Sequence, residues 1–371
     1  MKVLFLTKRH YMSKDLLRDH YGRFFELPKY LAAGGASVTV SCLSYYDDHE
    51  TNSLKLNEAG VEWRSHYIGR NPLSGIYRYY SKLCRAVEQL KPHVIIGASD
   101  SIHTIIAAKL ARKFHLPCCV DLYDNFESYG QMKLPGLKRS YRAALANAEA
   151  VTVVSAPLYE YIMATCHPSG RVEILENAVP EGLFLPGNKA AARKELGLPE
   201  TGRLLGTAGS LYRNRDIESL YRAFLRLALL NDDLRLVLAG GVDRKLSVPA
   251  HDHIIYLGDL AYSRIPILYN ALDLGIICNR DDSFGRYCFP QKLYEMMACR
   301  LPVVAAGVGV ALDLFRDQTG CLYQPGNVSD LERAIELQLR VRQALDRPVP
   351  AWSTQGDRLL HIINELGASA G

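Results

Sequence analysis

The sequence predicts an α/β protein with two Rossmann-like, doubly wound parallel-sheet domains that face each other across a cleft. Two observations lead to this fold class. Short runs that are apolar throughout alternate with helical patterns, as expected for parallel strands covered on both faces. The alternation occurs in two series of similar length, separated by a stretch rich in Pro and Gly. A chain of 371 residues is also too long for one core of ordinary size.

The first series starts at the N-terminus and ends near residue 180. Its predicted strands and helices follow in the order KVLFLT, RFFELPKYLAAGG, SVTVSCL, VEWRSHYI, IYRYYSKLCRAVEQLKP, HVIIGAS, HTIIAAKLARKFHL, PCCVDLY, LKRSYRAALANA, AVTVVS, APLYEYIMATC and RVEILEN. We therefore assign residues 1–180 to a first domain. The Pro- and Gly-rich residues 181–200 are predicted to be a linker.

The second series occupies residues 201–350. Its elements follow in the order RLLGTAG, IESLYRAFLRLALL, LRLVLAGG, IIYLGD, RIPILYNAL, LGIICN, QKLYEMMACR, PVVAAG, CLYQP and SDLERAIELQLRVRQAL. Ser329 or Asp330 is suitably placed to cap the last of these helices. Residues 351–371 contain WSTQGDRLLHIINEL, an amphipathic pattern that predicts one further helix.

Composition excludes several classes of protein. A formal net charge of +5 is too small for the concentrated basic face that nucleic acid binding requires. The nine cysteines form no CxxC pair and lie in apolar runs, which favours buried thiols in a reducing compartment. The opening MKVLFLT is too short for a signal peptide, and no run of about 18 apolar residues predicts a membrane-spanning helix. We therefore expect a cytoplasmic protein.

Glycine-bearing turns follow several predicted strands. GASD, TAGS, LAGG and YLGD come where a phosphate could meet the N-terminus of the next helix. The chain contains neither GxGxxG after a first strand nor a P-loop, and it contains no HExxH or GxSxG. The sequence therefore offers no positive case for a dinucleotide cofactor, a zinc protease or a serine hydrolase, and it predicts no metal site.

The segment FPQKLYEMMACRLPVVAAGVG resembles the donor domain of the retaining GT-B glycosyltransferases, the large group 1 family. The family motif, E-x-F-G-x4-E, has a variant F-P-x-K-L-x-E, which places Phe289 and Pro290 at the F-G positions. The resemblance implies that Glu295 binds the ribose hydroxyls of the donor, because one carboxylate can accept from both hydroxyls of a diol. The first glutamate of the motif, which touches the transferred sugar, is replaced by Tyr287. Phe284-Gly285 lies in the wrong register and is interpreted as ordinary loop.

The stretch GSLYRNRD resembles the family's diphosphate clamp, G-R-L-x-x-x-K-G. Arg215 takes the lysine position and Ser210 takes the arginine position, while Lys292 is a further cation beside the same region. Fixed cations stabilise a diphosphate leaving group, so the resemblance implies metal-independent transfer with a nucleotide sugar as co-substrate and no cofactor. The other donor-side residues implied are Gly209, Arg213, Tyr287, Phe289, Pro290, Gln291 and, beside the nucleobase, Gly258 and Asp259.

The first domain is then expected to bind the acceptor. By resemblance, Gly22 lies in the loop that approaches the donor phosphates, and Asp124 faces the reaction centre, with Asp121 the second choice. His103 is a further acceptor-side candidate. Asn177 matches the family's hinge between domains, and the helix in 351–371 resembles the tail helix that packs back on the first domain. Asp281-Asp282 could suggest a metal pair, but metal-dependent glycosyltransferases that use one have a single-domain fold.

The resemblance therefore implies a retaining glycosyltransferase that moves a sugar from a nucleotide diphosphate to a hydroxyl of a glycan, glycolipid or lipid-linked saccharide. A basic helix with Lys133, Lys138, Arg139 and Arg142 suggests peripheral contact with a membrane. Two alternatives remain open. A GT-B sugar-nucleotide epimerase needs several carboxylates around the sugar, and Tyr287 argues against them. A non-catalytic GT-B protein is suggested by the two departures, Ser210 and Tyr287.

Overall fold

The computed structural model describes residues 1–12, 14–46 and 55–369. The chain divides into two compact units. The first unit consists of residues 1–177 together with 351–371, and the second of residues 178–350. Each unit is built on a parallel sheet covered by helices, so the predicted α/β class with two doubly wound parallel-sheet domains is confirmed.

The first unit contains an eight-stranded sheet and a two-stranded pair. Its strands are β1 Lys2–Lys8, β2 His10–Tyr11, β3 Lys14–Asp15, β4 Ser37–Ser44, β5 Lys55–Glu58, β6 Val61–Tyr67, β7 Val94–Ala98, β8 Cys118–Leu122, β9 Ala150–Val153 and β10 Arg171–Ile174. The large sheet has the order β10-β9-β8-β7-β1-β4-β6-β5, and only its edge strand β5 pairs antiparallel. The carboxyl ends of β1, β7 and β8 therefore meet at one edge of the sheet.

Helices cover this sheet. They are α1 Leu16–Asp19, α2 Arg23–Ala33, α3 Pro72–Leu90, α4 Ser101–Phe114, α5 Leu137–Ala146 and α6 Ala156–Cys166. Local signals explain where they begin. The Asn71 side chain caps α3 and Pro72 opens it, while the Asp100 side chain accepts from the backbone N–H of His103 at the start of α4.

The second unit has a wholly parallel sheet of six strands. These are β11 Arg203–Ala208, β12 Leu234–Ala239, β13 Ile254–Tyr256, β14 Leu274–Ile277, β15 Val303–Ala306 and β16 Leu322–Tyr323, in the order β13-β12-β11-β14-β15-β16. Its helices are α7 Lys189–Glu195, α8 Ile217–Ala228, α9 Ile265–Ala271, α10 Gln291–Ala298, α11 Val310–Leu314 and α12 Val328–Val341. α8 and α12 pack Phe224 and Ile335 into a core shared with Leu236 and Ile276.

Residues 181–200, which the Pro and Gly content predicts to be a linker, contain α7 and belong to the second unit. The physical reason is a buried charge contact. Asp273, ahead of β14, accepts from the Arg193 guanidinium at 2.7 Å and from Lys189 Nζ at 2.6 Å, and it also accepts from the backbone of Leu204. α7 is thereby tied to the sheet.

The last helix, α13 Trp352–Ser369, belongs to the first unit. It packs against α2 through close backbone approaches. A Cβ on Gly356 would lie 2.3 Å from Tyr30 Cβ, and one on Gly34 would lie 2.5 Å from Leu360 Cδ2. Trp352 and Ile363 are fully buried, so the helix contributes to the core of this unit.

Candidate functional site

The sequence FPQKLYE forms the start of α10 in the second unit. Pro290 is the N-cap residue of the helix, and the ring of Phe289 packs on that of Tyr294 at 4.5 Å between centroids. The side chain of Gln291 donates to the carbonyl of Ala178 at 2.6 Å. These contacts hold the first turn, and with it the two charged side chains that follow.

Glu295 is buried, with 4% of its surface exposed. Tyr262 Oη donates to Oε1 at 3.0 Å, and Tyr269 Oη lies 3.4 Å from Oε2. Burial raises the pKa of Glu295 to about 7, although both tyrosines, Lys292 and Gln291 act in the opposite direction. The carboxylate is therefore costly to ionise in the protein alone.

Lys292 lies one helical turn before Glu295. Its Nζ is 3.4 Å from Thr207 Oγ1 at the end of β11, and 3.7 Å from where a Cβ on Gly209 would lie. Burial first, and then the nearby charge of Arg215, lower the pKa of Lys292 to about 8, against the opposing effect of Glu295. The ammonium is thus aimed at the glycine turn that follows the first strand of this unit.

Arg215 ends a short 3-10 helix, Arg213–Arg215, before α8. Its guanidinium lies 4.0 Å above the ring of Phe284, a cation–π contact, and 3.9 Å from Cys288 Sγ. Asp282 shapes this loop by accepting from the backbone N–H groups of Phe284 and Gly285, both at 2.9 Å. Phe284 and Gly285 lie in a turn of this loop, and the contact with Arg215 is made by the ring of Phe284.

Three glycine-bearing turns lie side by side at the edge of this sheet. The N–H of Gly240 donates to the carbonyl of Gly258 at 2.7 Å, and a Cβ on Gly240 would lie 2.1 Å from the carbonyl oxygen of Gly209. Gly209 and Gly258 both have positive φ, 97° and 68°. Asp259 is exposed beside them, and Ser210 is half-buried.

The remaining donor-side candidates are arranged differently. Arg213 points to the surface, where its guanidinium is 3.2 Å from Glu218, and it does not share the environment of Arg215. Tyr287 is half-buried, and its backbone N–H donates to the carbonyl of Phe284. Asp281 pairs with Arg286 at 2.5 Å. Among the predicted donor residues, Lys292 thus lies close to Gly209, and the charges of Arg215 and Glu295 both act on it.

This arrangement suits a ligand that carries both a diol and negative charge. Glu295 has a raised pKa and Lys292, one helical turn before it, has a lowered pKa. Burial therefore disfavours the charged form of both groups. A diol would donate to the carboxylate, and a diphosphate would neutralise Lys292 and Arg215. Lys292 and Glu295 thus bring an ammonium and a carboxylate together on one helix, with Arg215 nearby on a separate segment.

Glu295→Gln is expected to stabilise the ligand-free protein at pH 8 but not at pH 5. Because the folded pKa lies above the unfolded value, the protonated carboxyl favours folding at low pH, and this contribution is lost as the pH rises from about 4.5 through about 7. The cost of ionising Glu295 at pH 8 is up to about 3 kcal/mol, a figure that already includes the attraction to Lys292. Denaturant unfolding at both pH values measures it, with exposed Glu336→Gln as the control. An equal effect at both pH values would contradict it.

In the first unit, Asp121 lies at the end of β8 and is fully buried. Arg23, also fully buried, donates to both carboxylate oxygens at 2.6 and 2.8 Å, and Thr152 Oγ1 donates at 2.6 Å. Arg23 also reaches the carbonyl of Glu176. Asp121, predicted as an acceptor-side group, thus ties α2 to the sheet.

Asp124 lies at the same edge and closes a chain of polar groups. Tyr129 Oη donates to its Oδ2 at 2.8 Å and lies 3.1 Å from Tyr123 Oη, to which Lys8 Nζ donates at 3.0 Å. Burial lowers the pKa of Lys8, while Asp100 and Asp124 act against it. Lys8 lies at the end of β1. The rule that ligands gather at the carboxyl ends of parallel strands would have identified it as a candidate site residue from the sequence.

His103 is fully buried in the first turn of α4, and its Nδ1 lies 2.7 Å from Asp100 Oδ1. Burial alone would raise the pKa of Asp100, but contacts with His103 and the charge of Lys8 hold it below its usual range. Tyr45 Oη donates to the other oxygen of Asp100 at 3.0 Å. Gly22, the N-cap of α2, has φ 76°, and a Cβ there would lie 2.8 Å from the ring of Tyr11.

The four predicted membrane-contact cations differ in environment. Lys138 and Arg142 pair with Glu127 at 2.8 and 2.7 Å, whereas Lys133 and Arg139 are exposed. Within 1–12, 14–46 and 55–369, no group of three or more His, Cys, Asp and Glu side chains is arranged to hold a metal ion. None of the helices in these ranges is both long enough and apolar enough to span a membrane.

Both halves of the chain match known family models. Residues 188–349 match the model of glycosyl transferases group 1, and residues 23–178 match that of the glycosyl transferase 4-like domain. The chain is 29% identical over 183 residues to D-inositol 3-phosphate glycosyltransferase of Stackebrandtia nassauensis, covering 45% of this chain and 40% of the relative. The corresponding protein of Mycobacteroides abscessus is 29% identical over 210 residues, covering 51% and 45%. The chain thus spans less than half the length of these curated relatives.

Solved structures resemble the whole chain. Sucrose-phosphate synthase from Thermosynechococcus elongatus superposes with a TM-score of 0.73, covering 98% of this chain and 94% of its own at 19% identity. Anabaena HepE, in complex with UDP-glucose, has a TM-score of 0.69, with 100% and 98% covered at 17% identity. At such low identity these likenesses establish the fold, which is GT-B.

Proposed function

Since the chain belongs to the group 1 family of GT-B glycosyltransferases, we propose that it transfers a sugar from a nucleotide diphosphate to an acceptor hydroxyl with retention of configuration and without a metal. The observation that carries this proposal is the placement of Glu295, Lys292 and Arg215 around the turn at Gly209. A binding site for a neutral metabolite would not gather two cations and a buried carboxylate in this way.

In the proposed step, the acceptor hydroxyl oxygen bonds to the anomeric carbon on the face from which the phosphate departs. The bond from that carbon to the phosphate oxygen breaks, and the nucleoside diphosphate leaves with the bonding electron pair. The hydroxyl proton passes to the departing phosphate oxygen. Lys292 and Arg215 hold the negative charge that develops there, and Asp124 is proposed as the polar group on the acceptor side.

The proposal also specifies a donor base and a class of acceptor. UDP is the first base to test, because structures that share the fold were solved with UDP and UDP-glucose. We propose a saccharide or lipid-linked acceptor, brought to the protein by peripheral contact of Lys133, Lys138, Arg139 and Arg142 with a membrane. Lys133 and Arg139 contribute most in this scheme, because Glu127 already engages the other two.

One diphosphate among UDP, GDP, ADP and TDP is expected to raise the melting temperature of the protein in the presence of a chelator. A ligand that binds only the folded state stabilises it by about 2.7 kcal/mol at a concentration of 100 times Kd. Glu295→Ala should abolish most of this shift, because the ribose loses its charged acceptor. The exposed variant Glu336→Ala should retain it in full.

Two further measurements separate binding from turnover. Incubation of the stabilising nucleotide's sugar conjugates with mixed saccharide and lipid-linked acceptors should release that diphosphate only when acceptor is present. A new sugar epimer without acceptor would favour an epimerase. Binding without release against every acceptor would favour a non-catalytic protein, and no shift with any nucleotide would refute the donor site itself.

A further inference from the structure

An apolar groove lies between α3, α4 and the beginning of α5 in the first unit. It encloses about 530 Å³. Ile76 and Tyr80 line it from α3, Ile102 and Ile105 from α4, and Leu137 from α5. A groove of this size with a mainly apolar lining has no evident role in binding a nucleotide or a sugar, both of which require several hydrogen bonds.

Large apolar side chains stand exposed along the rim of the groove. Leu73 and Tyr77, which are 82% and 72% exposed, line it from α3 and lie one helical turn apart. Leu134, 61% exposed, accepts through its carbonyl from the N–H of Leu137, which lines the groove. Single exposed apolar residues are common, but this group surrounds one cavity and therefore indicates an interaction surface.

The segments that form the groove are rich in positive charge. α3, α4 and residues 129–146 together contain ten Lys and Arg and one acidic residue, Glu88, although the net charge of the whole chain is only +5. The rest of the chain is therefore net negative. Lys109 lines the groove itself, and Arg112 and Lys113 follow on the next turn of α4. Glu127, just outside this segment, pairs with Lys138 and Arg142 and offsets one of their two charges.

We propose that this α3–α4–α5 face docks on an anionic phospholipid bilayer, with Leu73 and Tyr77 inserted at the headgroup level and one lipid acyl chain in the groove. The exposed cations meet the lipid phosphates, while the apolar rim enters the boundary between headgroups and acyl chains. This inference extends the membrane contact proposed above from four residues to a defined face, and it does not depend on sugar transfer.

Charge and apolar surface together favour a bilayer over other partners. A nucleic acid would meet the cations but would leave the groove and its leucines without a complement. A second copy of this chain would bring two equally basic faces together, which like-charge repulsion opposes. An anionic bilayer supplies both the negative charge and the apolar chain.

The chain allows a direct measurement of insertion. Both native tryptophans, Trp63 and Trp352, are buried in the first unit, so Tyr77→Trp adds one exposed reporter. We expect phosphatidylglycerol vesicles with brominated acyl chains to quench the added fluorescence, and phosphatidylcholine vesicles to leave it unchanged. Tryptophan placed at Leu229, which is 80% exposed in the second unit, is the matched control and should not be quenched.

Flotation with the same vesicles then tests the apolar contribution and the charge contribution to membrane binding separately. Leu73→Ser/Tyr77→Ser should weaken binding at least tenfold, and Lys109→Ala/Arg112→Ala should weaken it by about fivefold for each charge removed. Leu229→Ser/Leu230→Ser and Lys245→Ala/Arg340→Ala should bind like the original protein. Melting curves confirm that each variant is folded.

Binding unaffected by the changes at Leu73 and Tyr77, or equally strong to neutral vesicles, would overturn the proposal. So would a stable dimer in solution that Leu73→Ser/Tyr77→Ser dissociates, because the face would then be an interface between copies. Nucleotide-induced thermal shifts measured on the same variants keep this result separate from failure of the donor site.

Discussion

Asp121→Ala is expected to lower the free energy of unfolding of the first unit by about 3–5 kcal/mol, because it leaves the buried guanidinium of Arg23 without its anionic partner. Asp121 and Arg23 have no exposed side-chain surface, so water cannot replace the lost carboxylate. The loss of the Thr152 contact adds an unsatisfied hydroxyl. This effect is far larger than that of removing an exposed ion pair.

Urea unfolding followed by tryptophan fluorescence measures this change in the affected unit, because Trp63 and Trp352 both lie there. Asp281→Ala removes an ion pair with Arg286 that is exposed, and it should cost no more than about 1 kcal/mol. Asp121→Asn keeps the shape and can still accept hydrogen bonds, so an intermediate loss is expected. If Asp121→Ala unfolds like the original protein but loses turnover, Asp121 acts on the acceptor instead.

The second large effect concerns the leaving group. Lys292→Met is expected to lower kcat by about 10²–10³-fold, the usual loss when one group that stabilises developing negative charge is removed. Methionine keeps the length of the side chain and removes an ammonium that is costly to bury, so folding should be preserved or improved. The KM for the acceptor should change little, because Lys292 lies beside the turn at Gly209 in the second unit.

Initial rates at saturating donor and acceptor, with circular dichroism to confirm folding, test this prediction. The matched control is Arg340→Met, which removes an exposed cation from α12 in the same unit and should leave kcat unchanged. A normal kcat with a raised donor KM would mean that Lys292 contributes equally to ground-state and transition-state binding, contrary to the role proposed.

Much of the fold could be predicted from local pattern. The buried strands are continuous apolar runs, such as KVLFLT and LRLVLAGG, and their alternation with helices permits few arrangements other than parallel sheets. Features that depend on residues far apart in the sequence were harder to predict. Residues 181–200 appeared to be a linker because Arg193 gives no local sign of its contact with Asp273. α12 begins two or three residues earlier than expected, because Asn327, and neither Ser329 nor Asp330, caps it.

The site shows the same limit. The placement of Glu295 and Lys292 on one helix follows from three residues of spacing, so it could be predicted. The tyrosines that contact Glu295 lie 33 and 26 residues away, and Arg23 lies 98 residues from Asp121. No pattern in one sequence pairs such positions. The contact of Phe284 with Arg215 is not visible in the sequence for a related reason: the register of the motif does not say which side chain the ring meets.

The placement of α13 has a consequence for how the chain is made. Because Ala351–Gly371 completes the unit that begins at Met1, a ribosome finishes the whole second unit before it supplies the last helix of the first. During that interval the face of α2 that receives Gly356 and Leu360 remains uncovered. The nascent first unit therefore lacks its last helix until translation is complete. Early termination of translation would release this unit with exposed apolar surface that favours aggregation.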